Sequence, residues 1–256
     1  MTNSLFVAWQ SSEPTKRQWG PVGRLDCGSG GYRFVYTRGA RQMNGFAPFP
    51  GMLDLGTAYE SDELFPLFAN RLLARSRPEY EAFLTWSGFD PANPPDPIAV
   101  LGVTEGRRAT DSLEVFPCPR PDSQGRYVSK FFLHGLRYAP AAALERIARL
   151  EKGEMLGLML DVSNLVDEHA VAVRTCDVRE RFLIGYVPRY LARDVGRLCR
   201  DCNTACAALL VDRINKDAPL QQRVLGRMEA CWPDGFRPCA TPDFEPIVEK
   251  LSPMAP

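Results

Sequence analysis

Prolines at 117, 119 and 121 keep the run Pro117-Cys118-Pro119-Arg120-Pro121-Asp122-Ser123-Gln124-Gly125 out of any sheet interior, because each lacks the N–H that a ladder requires. The run therefore reads as a linker. It divides the 256 residues into a domain at 1–118, a proline-rich connection at 119–126, a second domain at 127–240 and a tail at 241–256.

Strand signals dominate on both sides of that break. Leu5-Phe6-Val7-Ala8-Trp9 is one strand; the segments 20–25 and 32–36 are two more, joined through Gly28-Ser29-Gly30-Gly31 into an antiparallel meander. Leu64, Phe65, Leu67, Phe68, Leu72 and Leu73 recur at helical spacing and predict a helix over 62–73. Pro78 placed early predicts another over 78–86. The apolar runs 98–103 and 113–116 read as strands. In the second domain the pattern predicts strands at 127–138, 155–160, 170–175, 182–188 and 205–214, with helices at 141–150 and 189–200. The fold class is α+β and β-rich, a meander with a helical pair followed by a strand-dominated domain with short helices.

Between the strands at 155–160 and 170–175 lies Asn164-Leu165-Val166-Asp167-Glu168-His169, four polar residues where a turn needs one or two. Asn and Asp at this spacing brace a tight loop through bonds to neighbouring N–H groups, or present polar atoms to a ligand; the residues alone admit both. His169, against Ala170-Val171-Ala172-Val173, reads as a half-buried, hydrogen-bonded side chain rather than a metal ligand. Tyr186 and Pro188 are equally suited to barrel packing and strand termination.

Four motifs in order, Gly135-Leu136-Arg137-Tyr138, Gly153-Glu154, Asn164-x-x-Asp167-x-x-Ala170-Val171-x-Val173 and Ile184-Gly185-Tyr186-Val187-Pro188-Arg189, resemble those of a HIRAN domain. The resemblance implies a small OB-like β barrel that captures the 3′ end of single-stranded DNA. The recognition residues it implies are Arg137 and Tyr138, Asn164 and Asp167, and Tyr186 and Arg189. The physical logic agrees, since an aromatic face stacks a base and arginines hold phosphates. A carboxylate only accepts hydrogen bonds and so suits a terminal hydroxyl. The chain departs from the DNA-capturing pattern at Val166, where a second aromatic would complete a base sandwich. The first domain, from its meander through Glu63-Leu64-Phe65-Pro66-Leu67-Phe68 to the strand at 98–102, is similar to the N-terminal subdomain of HipA-type toxin kinases. That likeness implies a protein-docking role for residues 1–118, as an antitoxin-like or regulatory partner of such a kinase.

Charge constrains the ligand only weakly. The whole chain has no formal net charge, and residues 127–240 hold 17 basic against 14 acidic side chains, enough for one arginine-lined groove from Arg137, Arg189 and Arg193 but no global field. Two histidines, with no G-x-S-x-G or H-E-x-x-H, leave few parts for hydrolytic chemistry, and the expectation is a non-catalytic binder without cofactor. Cys199, Cys202 and Cys206 close within eight residues and could hold zinc with Cys231 or Cys239. Packing as small apolar side chains is the reading adopted, with no metal expected. The N-terminus lacks an export signal and no run reaches the roughly 18 apolar residues of a span, so a cytosolic protein with reduced thiols and no membrane partner is expected.

Overall fold

The computed structural model describes residues 3–11, 18–201, 207–248 and 250–251. In chain order the strands and helices are β1 (Asn3–Gln10), β2 (Trp19–Gly28), β3 (Gly31–Tyr36), α1 (Arg38–Gln42), β4 (Thr57–Ser61), α2 (Pro66–Ala69), α3 (Tyr80–Trp86), α4 (Pro97–Thr104) and β5 (Leu113–Pro117). They continue with β6 (Arg126–Phe132), α5 (Ala141–Ala148), β7 (Met155–Leu160), β8 (Val171–Thr175), β9 (Leu183–Tyr186), α6 (Arg189–Asp201), β10 (Ala207–Ile214), β11 (Val224–Cys231) and β12 (Lys250–Leu251). The β-rich α+β class holds.

The chain forms two compact units, and neither is one continuous stretch. One comprises residues 1–77, 95–118 and 239–256; the other comprises 78–94 and 119–238. The expected helix pair is thus divided, because α3 belongs with the C-terminal unit. The expected tail also resolves differently as far as it is described. Phe244 packs edge-on against Phe6 at 4.8 Å, and the Ile247 N–H donates to the Tyr36 carbonyl at 2.8 Å. Residues 252–256 lie outside the described residues. Nor is 119–126 an open linker: the Asp122 carboxylate accepts from the Gln124 and Arg126 N–H groups, and Pro121 bridges to Tyr127.

The first unit is a sheet in the order β12-β4-β3-β2-β1-β5, with the meander at its centre. Its core gathers Leu5, Val7, Leu25, Phe34, Tyr36 and Phe68. Two elements differ from expectation for identifiable reasons. The run 98–103 is helix α4, because Asp96 caps it by accepting from the Ile98 N–H at 2.7 Å and Pro97 stands at the first helical position. Of 62–73 only Pro66–Ala69 is helical; the Arg71 and Leu72 N–H groups fold back to Phe68 and Ala69 as three-residue turns. The Arg71 guanidinium is instead drawn inward to the Asp111 carboxylate at 2.6 Å.

The second unit's sheet runs β6-β11-β10-β7-β8-β9. Past its last strand residue, β6 meets β9 again: the His134 N–H donates to the Tyr186 carbonyl and the Tyr186 N–H to the His134 carbonyl, both at 2.9 Å. That isolated bridge links the ends of the two outer strands and curls the sheet into a half-barrel of the OB-like kind. The strand expected to reach 138 therefore stops at Phe132. Gly135, at φ +78°, turns the chain into a 3-10 turn at Leu136–Tyr138. Phe131, Leu133, Val173, Ile184, Leu191, Val195 and Met228 fill the interior. Among the described residues no helix is long and apolar enough to cross a membrane.

Candidate nucleic-acid interface

The bridge to His134 sets the position of Tyr186. The ring lies against Gly135, where an added Cβ would sit 3.2 Å from Tyr186 Cδ2, so the turn carrying Arg137 and Tyr138 starts beside it. Its hydroxyl donates to Asp161 Oδ2 at 3.1 Å. The same carboxylate accepts from Asn164 Nδ2 at 3.1 Å and Ser163 Oγ at 2.9 Å. These bonds, led by that from Asn164, hold the Asp161 carboxyl below its usual range. Burial first, and the bond to Asp161 second, push the Tyr186 phenol upward, so it remains a donor.

Asn164 and Asp167 face inward on their own loop. Asn164 Oδ1 accepts from the Val166 and Asp167 N–H groups, both at 3.0 Å, and Asp167 Oδ1 accepts from the His169 N–H at 3.0 Å. Both residues brace the loop, and bracing lifts its tip: Val162, Leu165 and Val166 are exposed. Arg137 and Tyr138 pair with each other, Nη2 donating to the phenol oxygen at 2.6 Å with the guanidinium 4.7 Å from the ring centroid. Tyr138 is 74% exposed, so one of its faces is open.

Arg189 opens α6, half-buried, and Arg193 stands exposed one turn on. Arg193 lines a cleft with Asp161, Glu168 and His169. His169 is exposed rather than half-buried, because its backbone, not its ring, is what Asp167 holds. The structure thus brings together Tyr186, Asn164 and the Gly135 turn on one side of Asp161 and Arg193 on the other. No hydrogen bond among the described residues joins the Arg137–Tyr138 pair to Asn164 or Asp167. Sequence reasoning passed over Asp161, although Asp-x-Ser-Asn at the end of an apolar strand is an Asx-turn signal. Cys202 and Cys206 lie outside the described residues, so the expected three-cysteine cluster is not described as a whole.

Residues 127–229 match the HIRAN domain family. Among solved structures the chain is similar to a protein from Lactobacillus plantarum, at 17% identity and a TM-score of 0.31, covering 41% of this chain and 97% of that one. It is also similar to the HIRAN domain of human HLTF, at 18% identity and a TM-score of 0.30, covering 43% of this chain and 81% of that one. None of the curated proteins matches the sequence.

Proposed function

From the premise that residues 127–229 are a HIRAN domain, we propose that this chain binds single-stranded DNA or DNA ends, as a non-catalytic accessory or regulatory factor. HIRAN domains are modules for single-stranded DNA and DNA ends, and the carrying observation here is the open Tyr138 ring on the turn that begins at Gly135, against which Tyr186 packs. Arg137 covers one face of that ring, which leaves the other to stack a base, and Arg189 and Arg193 supply positive charge nearby on α6. Val166 presents a small apolar surface where a second ring would complete a sandwich, so stacking is one-sided and affinity for a free 3′ end is lower.

Fluorescence anisotropy of a labelled single strand tests the reading. Affinity falls with rising salt, and Tyr138→Ala loses about 1–3 kcal/mol, roughly 5- to 150-fold. Absence of binding at low salt, or an unchanged Tyr138→Ala protein, rejects it. Residues 1–118 are then free to dock a protein. If that partner is a HipA-type kinase, pull-down of the chain recovers the kinase, and the antiparallel meander is the feature that supports looking for it.

A further inference from the structure

Four arginines on α6, at 189, 193, 197 and 200, fall within an arc of about 80° when residues advance by about 100° each. Tyr190, Leu191, Ala192, Val195, Gly196 and Leu198 are buried on the remaining arc, which also carries Asp194, Cys199 and the exposed Asp201. The basic stripe is not uniform. Arg197 Nε is engaged by Asp201 at 3.1 Å, and its guanidinium stacks 5.5 Å from the Phe236 centroid. Arg193 and Arg200 make no ion pair or hydrogen bond among the described residues, yet both line one cleft, whose other bank is Leu160, Asp161, Glu168 and His169.

Gly196 forms the floor between the two arginines. A Cβ there would stand 3.2 Å from Leu160 Cδ2 and 3.7 Å from Arg200 Nη1, so the missing side chain is what leaves a notch under that guanidinium. The notch encloses about 60 Å³. That is room for a few water molecules, far below the roughly 300–1,000 Å³ of a small-molecule pocket, and it suits a group the size of a tetrahedral anion. The two acids on its rim do not neutralise the arginines at close range. Asp161 keeps its charge but directs it to Asn164, Ser163 and Tyr186, and the 87% exposed Glu168 carboxylate lies 3.8 Å from His169 Nε2.

We propose that this notch seats one phosphodiester of the bound strand, clamped between Arg193 and Arg200. The inference rests on the reading that the domain binds single strands, and it adds that the strand continues from the Tyr138–Tyr186 end along α6. Arg193 and Arg200 are about 10.5 Å apart along the helix axis, and both line the one notch from either side of Gly196.

Salt dependence separates this seat from the base-stacking site. Each phosphate contact on a single strand contributes about 0.7 to the slope of log affinity against log salt. The double variant Arg193→Ala/Arg200→Ala should flatten the slope by about 0.7, the share of one phosphate, whereas Tyr138→Ala should weaken binding at every salt with its slope intact. Both arginines are exposed, and circular dichroism checks that the double variant is folded. A scan with single methylphosphonate linkages should find one position that weakens binding to the wild type and has no effect on the double variant. If the slope and the scan are the same in both proteins while Tyr138→Ala still weakens binding, the seat is refuted and the DNA reading stands. If inorganic pyrophosphate binds in an Arg193- and Arg200-dependent way but the strand's slope does not change, the notch serves free phosphate and the inference fails. If the wild type binds no oligonucleotide, the functional reading fails first and takes the seat with it.

Discussion

Asp161 accepts hydrogen bonds from Asn164 and Ser163 on its own loop and from Tyr186 across the barrel seam, so one carboxylate fixes both the loop and the ring. Because these bonds lower its pKa in the folded state, the stability they add is complete above the unfolded value of about 3.9 and is lost as pH falls through the lower folded value. Asp90, Asp122, Asp177 and Glu180 are also held low, so acid unfolding of the wild type alone is not diagnostic. Asp161→Asn should give a shallower loss of urea midpoint between neutral pH and about pH 3 than the wild type; parallel curves would mean the network does not form in solution. At this scale residue types were readable and partners were not. Asn164 and Asp167 stand out in the sequence because they are polar residues ahead of an apolar strand. Whether an amide oxygen turns to its own loop's N–H groups or outward is decided by the backbone path, and here it turns inward.

The element that most controls the site is the two-residue seam between His134 and Tyr186. Gly185 permits it, since a Cβ there would fall 2.7 Å from the His134 carbonyl oxygen, well inside contact distance. Gly185→Ala should therefore force the strands apart, at about 1–3 kcal/mol, and displace Tyr186 from Gly135. Urea denaturation reads the first effect and oligonucleotide affinity the second, and loss of stability with full affinity would show that the ring position is not needed for binding. The Gly185-Tyr186 pair was legible as part of a motif, but the bridge it makes was not, because register across 52 positions leaves no local pattern. Short apolar runs failed differently. Residues 98–103 carry no periodicity that separates a buried helix from a strand, and only the Asp96-Pro97 cap distinguishes them.

For the molecule as a whole, the proline-rich run lies beside the crossing at 118–119, and each unit also takes a segment from the far side of it, which no local composition reveals. The HIRAN match spans 127–229, yet the compact unit around it also includes residues 78–94. Within that unit the Trp86 carbonyl accepts from the buried Asn215 amide at 3.0 Å, and Gly88 lies where a Cβ would be 3.1 Å from Leu225 Cδ2. Leu84, on the same helix, is completely buried. A fragment beginning at residue 119 therefore loses the burial of one leucine, worth about 1.5–3 kcal/mol, and leaves an Asn215 N–H without its acceptor. That fragment should unfold at lower urea than the corresponding transition of the whole chain. A synthetic peptide of residues 78–94 added in trans should raise its midpoint in a concentration-dependent way, because it binds the folded state alone. If the peptide has no effect while the fragment is already as stable as the intact unit, α3 is an accessory to the barrel and not part of its core, and the family boundary is also the folding boundary.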